Sequence, residues 1–119
     1  MLDRNQIAAA SQALNDHWRA GTKFDGLDRS QRPRDRAEGY AIQAEIERTS
    51  GGKLFGWKIA ATSEVGQKHI NVEGPMAGRI LPETVIPDGG TASMAGNAMR
   101  VVEAEFAFRM KTDLPPRAS

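Results

Sequence analysis

The sequence predicts an α+β chain, helical over its first fifty residues and strand-rich after them. Three observations carry this. Larger apolar residues recur at intervals of three and four through the first part; after Gly52 they gather into short runs bounded by glycine; and residues 99–110 alternate with a period of two. Residues 1–50 are read as a helical segment and 51–119 as a strand-rich part, and two full domains are not expected of a chain this short.

The first helix is expected over 3–20, where Ile7, Ala10, Leu14 and Trp18 form one stripe, with Asp3 as its cap and Gly21 as its end. A loop of mixed charge follows over 22–34, carrying Gly26 and Pro33. A second helix is expected over 35–48. It should bury Ala37, Tyr40, Ala41, Ala44 and the pair Ile42 and Ile46, leave its charged residues solvated, and stop at Gly51-Gly52. The run from Leu54 to Ala60 is short, apolar and flanked by glycine, which suits a strand. Thr62-Ser63 can open a turn of helix through Gln67, and the Gly-, Pro-, Ser- and Thr-rich stretch 74–97 offers short strands at 78–81 and 84–86. In 99–110 the pattern places Val102, Ala104, Phe106 and Phe108 on one face and Val101, Glu103, Glu105, Ala107 and Arg109 on the other, the strongest strand signal in the chain.

Composition bounds the rest. Leu, Ile, Val and Phe total 22 of 119 residues, under the roughly one-fifth level at which disorder becomes a concern. The other half of that signature is missing, because the net charge is only +1. A foldable chain short of core is expected to lean on further chain or on a partner. The near-neutral balance argues against nucleic-acid binding. Without cysteine, disulfides, thiolate metal sites and cysteine nucleophiles are all excluded, and a cytoplasmic protein is expected. No run reaches the roughly 18 apolar residues of a membrane span, and the charged start, Met1-Leu2-Asp3-Arg4-Asn5, is unlike a signal peptide.

Glu103 and Glu105 are the first candidates for chemistry. Two residues apart on a strand they share a face, with backbones about 6.6 to 6.8 Å apart, so their carboxylates can converge on a hard cation such as magnesium or manganese. By spacing alone, a solvated strand face explains the same pair more simply. Lys58, between Trp57 and Ile59, is either a partly desolvated cation or a lysine that snorkels to water. His17 and His69 have no partner at a telling spacing and read as structural. Gly51-Gly52-Lys53 fails as a phosphate loop, since Glu47 stands where the first glycine belongs and Leu54 where Ser or Thr belongs. Arg29, Arg32, Arg34 and Arg36 alternate with Asp28 and Asp35 and read as solvated loop.

Taken together, Phe55-Gly56-Trp57-Lys58-Ile59-Ala60-Ala61-Thr62-Ser63, Gln67, Asn71-Val72-Glu73-Gly74-Pro75, Gly78-Arg79-Ile80-Leu81, Val102-Glu103-Ala104-Glu105-Phe106-Ala107-Phe108 and Asp113-Leu114 resemble the 2-keto-4-pentenoate hydratase branch of the fumarylacetoacetate hydrolase superfamily. Tyr40-Ala41-Ile42-Gln43 extends the likeness to the second helix. The resemblance is to the N-terminal part of that family, and it implies the first strands of a mixed β roll, apparently truncated here.

It further implies a lyase of aromatic catabolism acting on a small 2-oxo or 2-hydroxydienoate acid, with magnesium or manganese held by Glu103 and Glu105 and by a third acid beyond Ser119. Lys58 would line the active site and Ser63 its wall. A homo-oligomer is expected, with no nucleic-acid or membrane partner. Many hydratases of this branch carry an acid after the proline of their P-x-x-G segment, where this chain has Met76 after Pro75. That departure keeps a 4-oxalocrotonate-type decarboxylase open as the alternative, and the missing third ligand keeps open an inactive fragment or partner subunit. Glu73 and Asp88 are the acids within the chain to consider for that ligand.

Overall fold

The computed structural model describes residues 1–50 and 53–115. The expected helix stop at Gly51-Gly52 and the end of the tail, Pro116-Arg117-Ala118-Ser119, lie outside the described residues. The architecture is α+β: three α-helices, two short 3₁₀ turns and one antiparallel two-stranded sheet among the described residues.

Helix α1 (Arg4–Ala20) begins at Asp3, whose side chain accepts from the Gln6 N–H while the Gln6 side chain accepts from the Asp3 N–H. This reciprocal pair satisfies two donors that a helix start otherwise leaves free. Gly21 ends the helix in the left-handed conformation at φ 62°, where a residue without Cβ is unstrained. The apolar stripe is used in part: Ala10 is buried and Ile7 and Leu14 pack against the core. Trp18, expected inside, is 62% exposed.

Helix α2 (Arg36–Thr49) is capped by Asp35, which accepts from the Glu38 N–H. Ile42 is its one buried apolar residue, packed with Leu2 and Ala10, while Ala37 lies exposed, contrary to expectation. The charged residues of α2 are not all solvated either. The Glu38 carboxylate is buried and accepts from the backbone N–H groups of Leu2 at 2.6 Å and Arg34 at 2.8 Å. It thereby ties the start of α1 to the loop before α2.

Strands β1 (Gly56–Ala60) and β2 (Met76–Ile80) pair antiparallel, with Lys58 opposite Gly78 and Trp57 opposite Arg79. Between them α3 (Glu64–His69) starts at Ser63, whose hydroxyl accepts from the Gly66 N–H at 3.1 Å. Side chains of α2 cover the outer edge of β2. The Tyr40 hydroxyl accepts from the Ala77 N–H, the Gln43 amide donates to the Ala77 carbonyl, and Arg79 reaches Glu47 at 2.8 Å and Gln43 at 2.9 Å. The Arg79 guanidinium also stacks over the Trp57 ring at 4.7 Å. An open sheet edge is thus paired without a third strand.

Two expected strands do not form. At 84–86 no strand forms: a 3₁₀ turn, Pro82–Thr84, ends on Thr84, and Val85 and Ile86 follow it without a strand partner among the described residues. Residues 101–110 carry no strand assignment, and Val102, Phe106 and Phe108 point to solvent, Phe106 being 97% exposed. Alternation records which face is meant for burial, but a strand also needs a neighbour to take its N–H and C=O groups, and no described segment pairs with this one. The whole chain exposes 10325 Å², against about 6300 Å² for a compact monomer of its length.

Glu38 sets a pH dependence. Its two backbone donors, Arg34 first and then Leu2, hold the carboxyl below its ordinary value of 4.5. A group depressed on folding stabilises the fold above its unfolded value and loses that contribution as pH falls through the folded one. In urea unfolding, the stability difference between the native chain and Glu38→Gln should therefore shrink from pH 6 toward pH 3; a constant or widening gap would contradict this role.

Two glycines should respond oppositely to alanine. A Cβ at Gly21 would lie 3.0 Å from Gly96 Cα at a left-handed φ, whereas one at Gly39, inside α2, meets nothing within 4 Å. Gly21→Ala is expected to destabilise by about 1–2 kcal/mol and Gly39→Ala to stabilise by about 0.5–1 kcal/mol, read from thermal midpoints.

Candidate active site

Lys58 lies at the middle of β1, with Gly56 and Ala60 on the same face and Gly78 opposite. A Cβ on Gly78 would sit 3.9 Å from the Lys58 Cβ, so this face of the hairpin leaves the lysine stem open space. On the other face, Arg79 is held by α2 and stacks over Trp57. The strand register therefore decides that Lys58 points away from the helices.

The extended segment 101–110 crosses this face. Glu103 Oε2 lies 3.1 Å from Lys58 Nζ, and Glu105 Oε1 is paired with the same ammonium. The three residues marked by sequence, 45 positions apart between Lys58 and Glu103, are thus brought together. Both carboxylates turn to one side although the segment is not paired in a sheet, so the convergence comes from extended backbone and charge, not from a ladder. The cluster is wet: the side chains of Lys58, Glu103 and Glu105 are 37%, 66% and 47% exposed.

Beside it runs an open cleft of about 1030 Å³, walled by Phe55, Trp57, Ile80, Phe106 and Phe108, with Lys58 and Glu105 at its polar side. Ser63 is not brought to the cluster. Its hydroxyl is used in capping α3, while its neighbour Thr62 lines the cleft. Sequence reasoning also missed Gln43, Glu47 and Arg79, which hold the hairpin to α2. Separations of 32 and 36 residues leave no local signal for such contacts.

The donor set fits a hard divalent cation in kind, with two carboxylates, all-oxygen ligands and a cation already seated between them in the form of the ammonium. It is short in number. No group of three or more His, Cys, Asp or Glu is placed to hold a metal among the described residues, and Glu73 and Asp88 are exposed on the surface.

Fold and cluster together describe an α+β chain that sets a lysine and two carboxylates at the side of a cleft with apolar walls. The chain is 30% identical over 117 residues to a 2-keto-4-pentenoate hydratase of Burkholderia vietnamiensis (strain G4 / LMG 22486), a match covering 96% of this chain and 45% of that protein. It is 32% identical over 81 residues to a 4-oxalocrotonate decarboxylase of Pseudomonas sp. (strain CF600), covering 66% of this chain and 31% of that one. The chain is thus related to the N-terminal part of these proteins, as its motifs indicated, and spans less than half the length of either. No family model and no solved structure matches it. No helix among the described residues is long and apolar enough to cross a membrane.

Proposed function

We propose that this chain supplies Lys58, Glu103 and Glu105 to the active site of a divalent-metal-dependent 2-keto-4-pentenoate hydratase. The observation that carries the proposal is the convergence of both glutamates on Lys58 beside the apolar cleft; the hydratase relative supports it. Glu103 and Glu105 would hold magnesium or manganese, completed by a third acid from outside the chain. When bound, the ion supplies Lewis acidity toward the carboxylate and 2-oxo oxygens of a dienoate. Lys58 Nζ places positive charge where the substrate's enolate oxygen gathers negative charge, and can hand on a proton there. Phe55 and Ile80 give the cleft apolar surface that fits the hydrocarbon end of such an acid. Ser63 belongs to this reading only as wall, since its hydroxyl serves the α3 start.

The second reading is a decarboxylase of the same family. Met76 in place of an acid favours it, because a group that would take the proton from the attacking water is missing at that position, and a decarboxylase is among the relatives. Both reactions pass through the same enolate, so the three residues keep their roles. The exposed faces of Phe106 and Phe108 further suggest that the working protein covers this segment, by further strands of a mixed β roll or by association into a homo-oligomer. By itself, the 119-residue chain is read as inactive.

Assayed alone with magnesium or manganese, the chain should give no turnover of a 2-hydroxydienoate acid. Joined to the remaining part of the Burkholderia relative, it should regain turnover, and Glu103→Gln or Glu105→Gln should then cost at least about tenfold. Carbon dioxide release separates the two readings. Full activity of the longer chain with both glutamates replaced would end the proposal.

A further inference from the structure

Between α1, α2 and the end of β2 lies a second cavity, of about 530 Å³, which shares the wall residue Ile80 with the cleft beside Lys58. Its sides are Leu14, Ile46, Ile80 and Leu81, and Trp18, 62% exposed, stands at its mouth. One polar side chain inside it is unused by the fold. Asn15 is 7% exposed and lines the cavity, yet its amide makes no hydrogen bond with the described residues. Since no buried side-chain nitrogen or oxygen among them is both sealed and unpaired, the amide opens into the space it lines. We propose that this cavity is a binding site for a small neutral carboxamide with an apolar body, whose amide pairs with Asn15.

The lining decides what can bind. A buried amide without a partner weighs against folding, because it gives up water and gains nothing in return. One water would answer it, but the cavity is many times the roughly 30 Å³ that a water takes up, and its volume falls within the ~300–1,000 Å³ of small-molecule sites. The polar neighbours are already engaged. Arg79 commits its guanidinium to Glu47 at 2.8 Å and to Gln43 at 2.9 Å, so the site offers no net charge. The Gln43 amide is taken up by Arg79 and the Ala77 carbonyl, and Thr84 donates its hydroxyl proton to the Leu81 carbonyl at 2.7 Å. Asn15 is therefore the group left to recognise a ligand. Its amide presents a donor and an acceptor side by side, and a second amide answers both at once. A carboxylic acid has the same shape but is ionised at neutral pH, and an unpaired charge among these aliphatic walls is costly. The apolar body of the ligand lies along Leu14 and Ile46 toward the Trp18 ring, which gives the uncovered indole a contact.

The chain has two tryptophans, and each lines one cavity: Trp18 this one, Trp57 the cleft beside Lys58. Their indole N–H signals in heteronuclear NMR therefore report the two cavities separately. Benzamide added to the 119-residue chain should shift the Trp18 signal saturably and leave that of Trp57 unmoved. Benzoate, the same shape with a charge, should bind at least about tenfold more weakly; this comparison needs no variant. Asn15→Leu should weaken benzamide about three- to tenfold, while toluene still shifts Trp18 and so shows the cavity intact. A Trp18 signal indifferent to benzamide, benzoate binding as tightly as benzamide, or unchanged benzamide binding in Asn15→Leu overturns the proposal. So does loss of the Trp18 response once the chain is joined to the remaining part of the Burkholderia relative, because the protein's own side chains would then fill the cavity. None of these outcomes bears on the roles of Lys58, Glu103 and Glu105.

Discussion

Two carboxylates two residues apart on an extended segment repel one another, and they share a small volume only where a cation stands between them. Here that cation is Lys58. Each contact is partly exposed and is worth only ~0–1 kcal/mol, so the cluster does little for the stability of the chain. Its effect is on placement, since it decides where segment 101–110 lies. A weak interaction can do this because nothing stronger competes: no described strand pairs with the segment, and its large apolar side chains find no surface to bury against.

Lys58 can gather the segment only because its own strand is fixed. Fixation comes from α2, whose Tyr40 and Gln43 take up both backbone groups of Ala77 and whose Glu47 and Gln43 hold Arg79. Arg79 in turn stacks on Trp57, the cross-strand neighbour that faces opposite to Lys58. A one-residue slip of this hairpin would exchange its two faces, turning Lys58 toward the helix and Trp57 toward the glutamates. Helix, register and site are therefore linked through one half-buried guanidinium. At the other end, Gly21 and Gly96 approach so closely that neither tolerates a Cβ easily, which seats the 94–97 turn on the end of α1 just before the chain sets out toward Glu103.

Much of this was legible in the residues. Asp3 and Gly21 announced the ends of α1 because capping is local chemistry, and the glycine-bounded run at 54–60 announced β1 because its composition is local too. The convergence of Glu103, Glu105 and Lys58 followed from the two-residue period of extended chain together with a family resemblance. What failed was whatever depends on neighbours. Phe106 and Phe108 carry the alternation of a buried strand face, yet the described residues offer nothing to cover them. Glu38 looked like one more solvated acid, since its donors, the N–H groups of Leu2 and Arg34, belong to backbone that sequence pattern does not see. Ser63, which the family resemblance puts in the wall, turns its hydroxyl to the start of α3, because a serine just before a helical turn is drawn to the free N–H groups there.

The central claim is that Lys58 and the two glutamates meet in the chain itself. Carbodiimide coupling, which joins an amine to a carboxylate only where they already touch, tests it most directly. Peptide mapping by mass spectrometry should find Lys58 joined to Glu103 or Glu105 within single molecules, with coupling suppressed by Lys58→Arg. Coupling of Lys58 spread over distant acids such as Glu64 or Asp88, with none at Glu103 or Glu105, would contradict the account.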